Sequence, residues 1–575
     1  MFYFLTSQRV CVIFLSIMIK RRVVKALGFF ASLTIFAVAV PAQSLTLGDV
    51  QTIIAQAVSK AVAMNQKVTV SVSDQEGNLL GTFQMTGAPA NTLIRSVGRA
   101  GQGLENLSVP STAASYSKAG TAGILSSGGN AFSTRTASFI IQEHFPAGID
   151  NTPGGPLYGV QFSTLPCSDV AIAGLPLGLS GDPGGLPIYK NGVAVGGIGI
   201  ESDGLYTVDR NPADDDFSVE ETIAAYGRRG FEEADLIRGD NILVAGIRLA
   251  YMNPVDTASA TPIAFGSLPG VVTFPLRAAP ASDFFATTLN GVQGQMSVRF
   301  PVVAGTALTT AEVTSMLSTA IGTAARVRAA IRMPIGESAR VTASVTDVDG
   351  KVLGIFRSFD APVFGLDVAV QKARSVGFMS RSDAGAKLTA AGFGSYVARA
   401  SADGLGLNGQ IAYSDRAIGF LHRPLYPDGI NNTAAGPFST QLADWSPFNN
   451  GLQLDLVKNA LTSPPMVCSS AAIARRHMMT LAIPCPCTST SLPEIRNGIQ
   501  IFAGAMPLYR NGVYIGAIGI SGDGIEQDDI ISAFGGDAFA APANIRSDQF
   551  FVRDARLPFL KFPPRPFLDG AVTAK

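Results

Sequence analysis

Residues 186–204 read LPIYKNGVAVGGIGIESDG and residues 506–524 read MPLYRNGVYIGAIGISGDG. Gly192, Gly196, Gly199 and Gly204 recur in register as Gly512, Gly516, Gly519 and Gly524. A match of this length makes the chain a tandem repeat, so its function has to be carried by two sites or by one site between two copies. The correspondence continues in order along the chain. Ser71–Gly77 recurs as Ser344–Gly350, Ala88-Pro89 as Ala361-Pro362, Pro146–Asn151 as Pro427–Asn432, and Ile237–Asp240 as Ile545–Asp548. Each copy is long enough for one core. The expected organisation is 1–42 signal peptide, 43–253 first domain, 254–307 connector, 308–561 second domain and 562–575 tail.

Periodicity sets the elements. Thr46 with Asp49, and Thr309 with Glu312, have capping-box spacing. Behind them Val50, Ile53, Ile54, Ala57, Val58 and Ala61, and likewise Val313, Met316, Leu317, Ala320 and Ile321, fall on one helical face. Val68, Val70 and Val72, matched by Val341, Ala343 and Val345, alternate as a strand does. Asp74–Gly77 and Asp347–Gly350 turn each strand into a second one. A helix over 366–378 and a Gly- and Ser-rich stretch follow. Asn191-Gly192 and Asn511-Gly512 then predict type I′ hairpins. Gly inside a strand marks close backbone approach more often than a phosphate loop. A last helix carries Ile223 and Tyr226, or Ile531 and Phe534. The order helix, hairpin, helix, hairpin, helix predicts an α+β fold with an antiparallel sheet in each copy. The connector is expected to be less ordered.

Lys20, Arg21, Arg22 and Lys25 precede an apolar stretch from Ala26 to Val40 and a small-residue site at Val40-Pro41-Ala42, the pattern of an export signal. The alternative is an uncleaved membrane anchor. No later run is long enough to span a bilayer. Removing residues 1–42 leaves 38 basic against 43 acidic residues with no basic patch, so nucleic acid is excluded as a partner. The expected location is periplasmic or secreted. Cys167, Cys468, Cys485 and Cys487 remain after that removal, an even number that predicts disulfides with unreadable connectivity. Cys485-Pro486-Cys487 is alternatively a soft-metal pair.

Catalytic patterns are missing. There is no G-x-S-x-G elbow and no H-E-x-x-H. Asp74 and Asp347 precede turn glycines and serve the turns. Asp214–Asp216 lacks the spacing of a calcium loop. The chain is expected not to be an enzyme.

Several elements together resemble the GlcG/HbpS-type haem-binding family, to which the C-terminal domain of PduO is also similar. They are Leu45-Thr46-Leu47 with Asp49, Ser71–Gly77, Ala361-Pro362, Lys372-Ala373-Arg374-Ser375 and Met506–Gly524. The resemblance implies two profilin-like domains, a tendency to oligomerise or to pair within the chain, and haem or a related small ligand as partner. Sequestration or sensing of haem without turnover would be the function. The alternatives are an envelope structural protein without haem and a small-molecule-processing enzyme.

Counting from the Ala-Pro pair, Lys372–Ser375 aligns with Arg99–Gln102, which lacks the Arg and the Ser. Lys372 and Arg374 are therefore candidates in the second copy, with Arg374 gripping a haem propionate through two parallel hydrogen bonds. The alternative is an ion pair with a carboxylate of the protein. No C-x-x-C-H occurs, so covalent haem is excluded. His144 and His422, in corresponding segments anchored on Arg135 and Arg416, are the candidate iron ligands. Each is otherwise a surface or hydrogen-bonded structural histidine; His477, beside Arg475, Arg476, Met478 and Met479 in an insert of the second copy, is a further candidate ligand with the same alternative.

Overall fold

The computed structural model describes residues 43–211, 214–462, 487–488 and 491–570. The expected export signal, His477, Cys468 and Cys485 lie outside the described residues.

The first half opens with α1 (Leu47–Ala63), whose Thr46 and Asp49 form the expected capping box and whose Val50, Ile53, Ile54, Ala57, Val58 and Ala61 are buried. β1 (Thr69–Asp74) and β2 (Leu79–Met85) form the first hairpin. α2 (Ser111–Leu125) and α3 (Thr134–Ile140) precede the second hairpin, β3 (Gly185–Lys190) and β4 (Val193–Glu201). α4 (Val219–Gly227) closes the half. The connector contributes β5 (Gly270–Phe274), β6 (Phe284–Leu289) and β7 (Val292–Ser297). The second half follows the same order with α5 (Thr310–Ala324), β8 (Val341–Thr346), β9 (Val352–Ser358), α6 (Gly365–Met379), α7 (Asp415–Leu421), β10 (Ala505–Arg510), β11 (Val513–Gly522) and α8 (Ile525–Gly535).

The first sheet runs β5-β2-β1-β4-β3 and the second β6-β7-β9-β8-β11-β10, with every neighbouring pair antiparallel. Connector strands thus extend the β2 and β9 edges. Register matches between the halves: Val72 faces Ile198 and Val345 faces Ile518. Both Asn-Gly turns have the two positive φ angles that type I′ requires, 49° and 79° at Asn191-Gly192 and 52° and 79° at Asn511-Gly512.

Both faces of each sheet are covered. Val70, Val72, Ile198 and Ile200 pack under α1 and α4, and Val341, Val345, Ile518 and Ile520 under α5 and α8. The polar residues between those valines are buried too, because α2 and α6 lie on the opposite face; Ser71 shares a 2.8 Å hydrogen bond with Ser115 of α2. Alternation in sequence here separates an apolar from a polar buried face. The strand glycines allow this packing. A Cβ on Gly199 would lie 2.1 Å from the Ser115 carbonyl oxygen, and one on Gly519 2.0 Å from that of Ala369.

A third core takes residues from both halves, among them Phe139, Tyr158, Phe162, Ile418, Trp445 and Ile501. Around it Arg357 pairs with Glu76 at 2.9 Å, and a disulfide joins Cys167 to Cys487. Asn151 N–H donates to Asn431 Oδ1, and Asn431 N–H donates to Asn151 Oδ1, both at 3.0 Å. Among the described residues no helix is long and apolar enough to cross a membrane.

Candidate functional site

The helix-sheet frame repeats at one place with particular fidelity. In the second half Ser414 caps α7 and donates its hydroxyl to the Phe559 carbonyl. In the first half Ser133 caps α3 and donates to the Tyr251 carbonyl. The arginine two residues on in each half, Arg416 or Arg135, donates Nε to an acid of the closing helix. Arg416 reaches Asp529 at 2.6 Å and Arg135 reaches Glu221 at 2.8 Å.

In the second half this frame opens onto a cavity of about 490 Å³. That volume lies within the range of small-molecule sites. Its apolar wall includes Phe420, Ile501, Phe502, Ile525, Leu557 and Phe559, and its cations are Arg416, Arg423, Arg556 and Lys561 against Asp428 and Asp548. Phe420 stands one turn of α7 from Arg416, and Gly419 lets the helix approach the 501–503 backbone, its Cβ position being 2.1 Å from the Ile501 oxygen.

The arginines are held but not saturated. Asp529 also accepts from the Lys561 amide at 2.9 Å, and burial pushes its carboxyl above the usual range against the pull of Arg416. Among the described residues Arg416 Nη2 has no hydrogen-bond partner. Arg423 is 8% exposed, lies over the Tyr158 ring at 4.3 Å, and stands 3.5 Å from Asp428 Oδ1. Its Nε and Nη1 are buried and without a hydrogen bond among the described residues. Two guanidinium groups beside an apolar wall, each with buried donors lacking a hydrogen bond, make a composition that suits an anion with an apolar body. Arg556 is steadied by the Asp548 carbonyl at 2.8 Å. Burial alone would raise the Asp548 carboxyl, but Arg546 and then Arg556 bring it below its ordinary value.

The predicted residues lie elsewhere. Lys372 is buried beneath the sheet, where its ammonium donates to Asp528 at 2.9 Å and to the Ile520 carbonyl at 2.8 Å and sits 4.6 Å from the centre of the Phe502 ring. Arg374 does make the expected two-pronged carboxylate contact, but with Asp169 of the first half, at 2.8 Å through both Nη1 and Nη2. His144 bonds the Thr152 carbonyl through Nδ1 at 2.8 Å. His422 is fully buried, bonds the Ile418 carbonyl through Nδ1 at 2.7 Å, and packs on Phe438. Burial pushes the His422 imidazole down to about 3, so it is neutral. Neither histidine lines the cavity.

The alignment of Lys372–Ser375 with Arg99–Gln102 is overturned. Residues 91–110 form an insertion that carries two short strands, and the helix matching α6 is α2. Lys118-Ala119-Gly120-Thr121 is therefore the counterpart, so the first half keeps the lysine and replaces the arginine by Gly120. Lys118 is fully buried and stands 2.7 Å from Asp182, 3.1 Å from Glu201 and 2.6 Å from Glu220. These three carboxylates are close enough to hold a metal ion, but the Lys118 ammonium stands among them as the cation. By strand register and sequence order the second half has Phe502, Ser521 and Asp528 at those positions. Asp415, on α7, is fully buried, and burial holds its carboxyl far above the usual range.

No family model matches this chain and no curated protein matches it. Solved structures show similarity, among them the following three. A PduOC–haem complex is 20% identical with a TM-score of 0.22, covering 33% of this chain and 98% of its own. The ORFY protein of Klebsiella pneumoniae is 22% identical with a TM-score of 0.21, covering 32% and 90% respectively. A double mutant of HbpS from Streptomyces reticuli is 20% identical with a TM-score of 0.20, covering 37% and 99%.

Proposed function

We propose that this chain is an exported binding protein of the GlcG/HbpS type. Two profilin-like domains in tandem form an intramolecular pseudo-dimer. The second domain holds a flat, carboxylate-bearing ligand of the porphyrin class in the cavity beside α7, for sequestration or sensing and without turnover. One observation carries the reading: Arg416 and the nearly buried Arg423 line the cavity beside an aromatic and aliphatic wall, and each carries buried N–H donors that have no hydrogen bond among the described residues. Carboxylates satisfy the donors and a macrocycle covers the wall. The basic and apolar pattern of residues 20–42 supports export, and so does the Cys167–Cys487 disulfide.

The donor set fits the carboxylates and faces of haem but not its iron. Among the described residues lining the cavity there is no His, Met, Cys or Tyr. Recognition in this reading rests on the ring and its acids, and the metal is indifferent. Haemin and iron-free protoporphyrin IX, titrated into the mature chain, should therefore bind with similar affinity at one per chain. Absence of saturable binding by either overturns the proposal. Binding of haemin alone, lost in His422→Ala or His144→Ala, overturns the cavity in favour of iron ligation.

A further inference from the structure

The frame around Arg416 is repeated around Arg135, yet the two arginines end differently. In the second half β11 leads into α8 through Asp523 and Gly524 alone. In the first half a longer connection leaves β4 and passes over α3. There Asp209 Oδ2 accepts from Arg135 Nη1, and the Asp209 backbone is held on both sides. Its amide donates to Ser138 Oγ at 2.8 Å, and its carbonyl accepts from Gln142 Nε2 at 2.6 Å. Gln142 occupies the position of Arg423 when the segments are aligned on Arg135 and Arg416. Val208, next to Asp209, is 4% exposed and contributes to the shared core. The chain itself thus supplies, in the first half, a carboxylate to an outer nitrogen of Arg135, whereas in the second half Arg416 Nη2 has no hydrogen bond among the described residues.

We infer that the segment around Asp209 is a built-in occupant of the first half's site, and that Asp209 stands where a ligand carboxylate binds at Arg416. The inference rests on the cavity being a binding site and adds the ligand's contact and its stoichiometry. A carboxylate oxygen accepts from the outer nitrogens of Arg416, as Asp209 does from Arg135, and Arg423 supplies the adjoining donor that Gln142 supplies in the first half. The first half is closed to ligand, so one chain takes one ligand although its frame is built twice.

The test uses protoporphyrin IX and the whole mature chain. Wild type should bind one per chain, and Arg416→Ala should weaken binding about ten- to hundredfold. Replacing residues 202–218 by the Asp-Gly link of the second half should raise the stoichiometry to two. A second variant keeps the decision independent of how that replacement folds. Phenylglyoxal should modify Arg416 but not Arg135 in wild type, and should modify Arg135 in Asp209→Ala. One ligand per chain in a folded shortened variant, or an unreactive Arg135 in Asp209→Ala, overturns the inference and leaves the cavity reading standing. A wild type that binds none removes both.

Discussion

Lys118 and Lys372 occupy the same position on matching helices, yet Lys118 forms ion pairs with three buried carboxylates and Lys372, among the described residues, with one, Asp528. Burial would lower the Lys118 ammonium, but Asp182, Glu201 and Glu220 together hold it well above its ordinary value. Stranding buried acids without their cation is costly, about 3–5 kcal/mol for one broken pair. Lys118→Met should therefore destabilise the chain more than Lys372→Met. Urea unfolding at neutral pH measures both, and part of each loss should return toward pH 5 as the acids take up protons.

The same cluster sets a pH dependence. Burial pushes Glu220 from 4.5 up to about 8, opposed by Lys118 and reinforced by Glu201 and Asp203. A carboxyl raised in the fold binds its proton more tightly there than in the unfolded chain, so stability falls as pH rises from about 4.5 to about 8 and then levels. Asp528, pushed up to about 7 mainly by burial, acts in the same direction. Glu201→Gln removes a like charge and should move the upper end of Glu220's window to lower pH. Unfolding free energies at half-unit pH intervals give the curve, and an unchanged curve contradicts this account.

Arg374→Ala should separate structure from binding. The side chain grips Asp169 with two bonds and donates to the Gly350 carbonyl at 2.9 Å. Its loss leaves a largely buried carboxylate and a carbonyl unpaired, a cost of about 3–5 kcal/mol. The porphyrin dissociation constant should stay within about twofold of wild type, because Arg374 does not line the cavity. A tenfold weakening would return Arg374 to the ligand.

Gly519→Ala should be far more damaging than Gly512→Ala. At Gly519 the added methyl meets the Ala369 carbonyl oxygen at 2.0 Å, whereas Gly512 has open space around it and only its positive φ of 79° to lose. Expected costs are about 3 kcal/mol for the first, as for overpacked cores, and about 1 kcal/mol for the second. Thermal unfolding ranks them, and equal shifts would contradict the close approach of α6 to β11.

Removing the Cys167–Cys487 link by double replacement with Ser should cost about 2–5 kcal/mol. Porphyrin binding should persist, since neither cysteine lines the cavity.

What could be read from the residues was local. Capping at Thr46 and Thr309, the Asn-Gly turns and the valine alternation are fixed by neighbours a few positions apart, and they appear as expected. Counting along the chain failed where residues 91–110 were inserted, which displaced the counterpart of Lys372 from Arg99 to Lys118. The cavity draws on α7, residues 501–503 and residues 548–561, and no periodicity links those stretches. A signal was nonetheless present. Arg135 and Arg416 recur in register, while the acidic stretch containing Asp209 and Asp214–Asp216 has no counterpart in the second half. An arginine kept in both copies with one acid in both and a second acid in only one marks a place where the copies differ in what they hold.

The crossed hydrogen bonds of Asn151 and Asn431 are the kind of contact that two identical subunits make across a twofold axis. In a dimer of identical chains each substitution appears on both sides of that axis. Here the two sides are encoded separately. Asp209 can plug one frame without plugging the other, and the symmetry that shapes the molecule places no obligation on its contents.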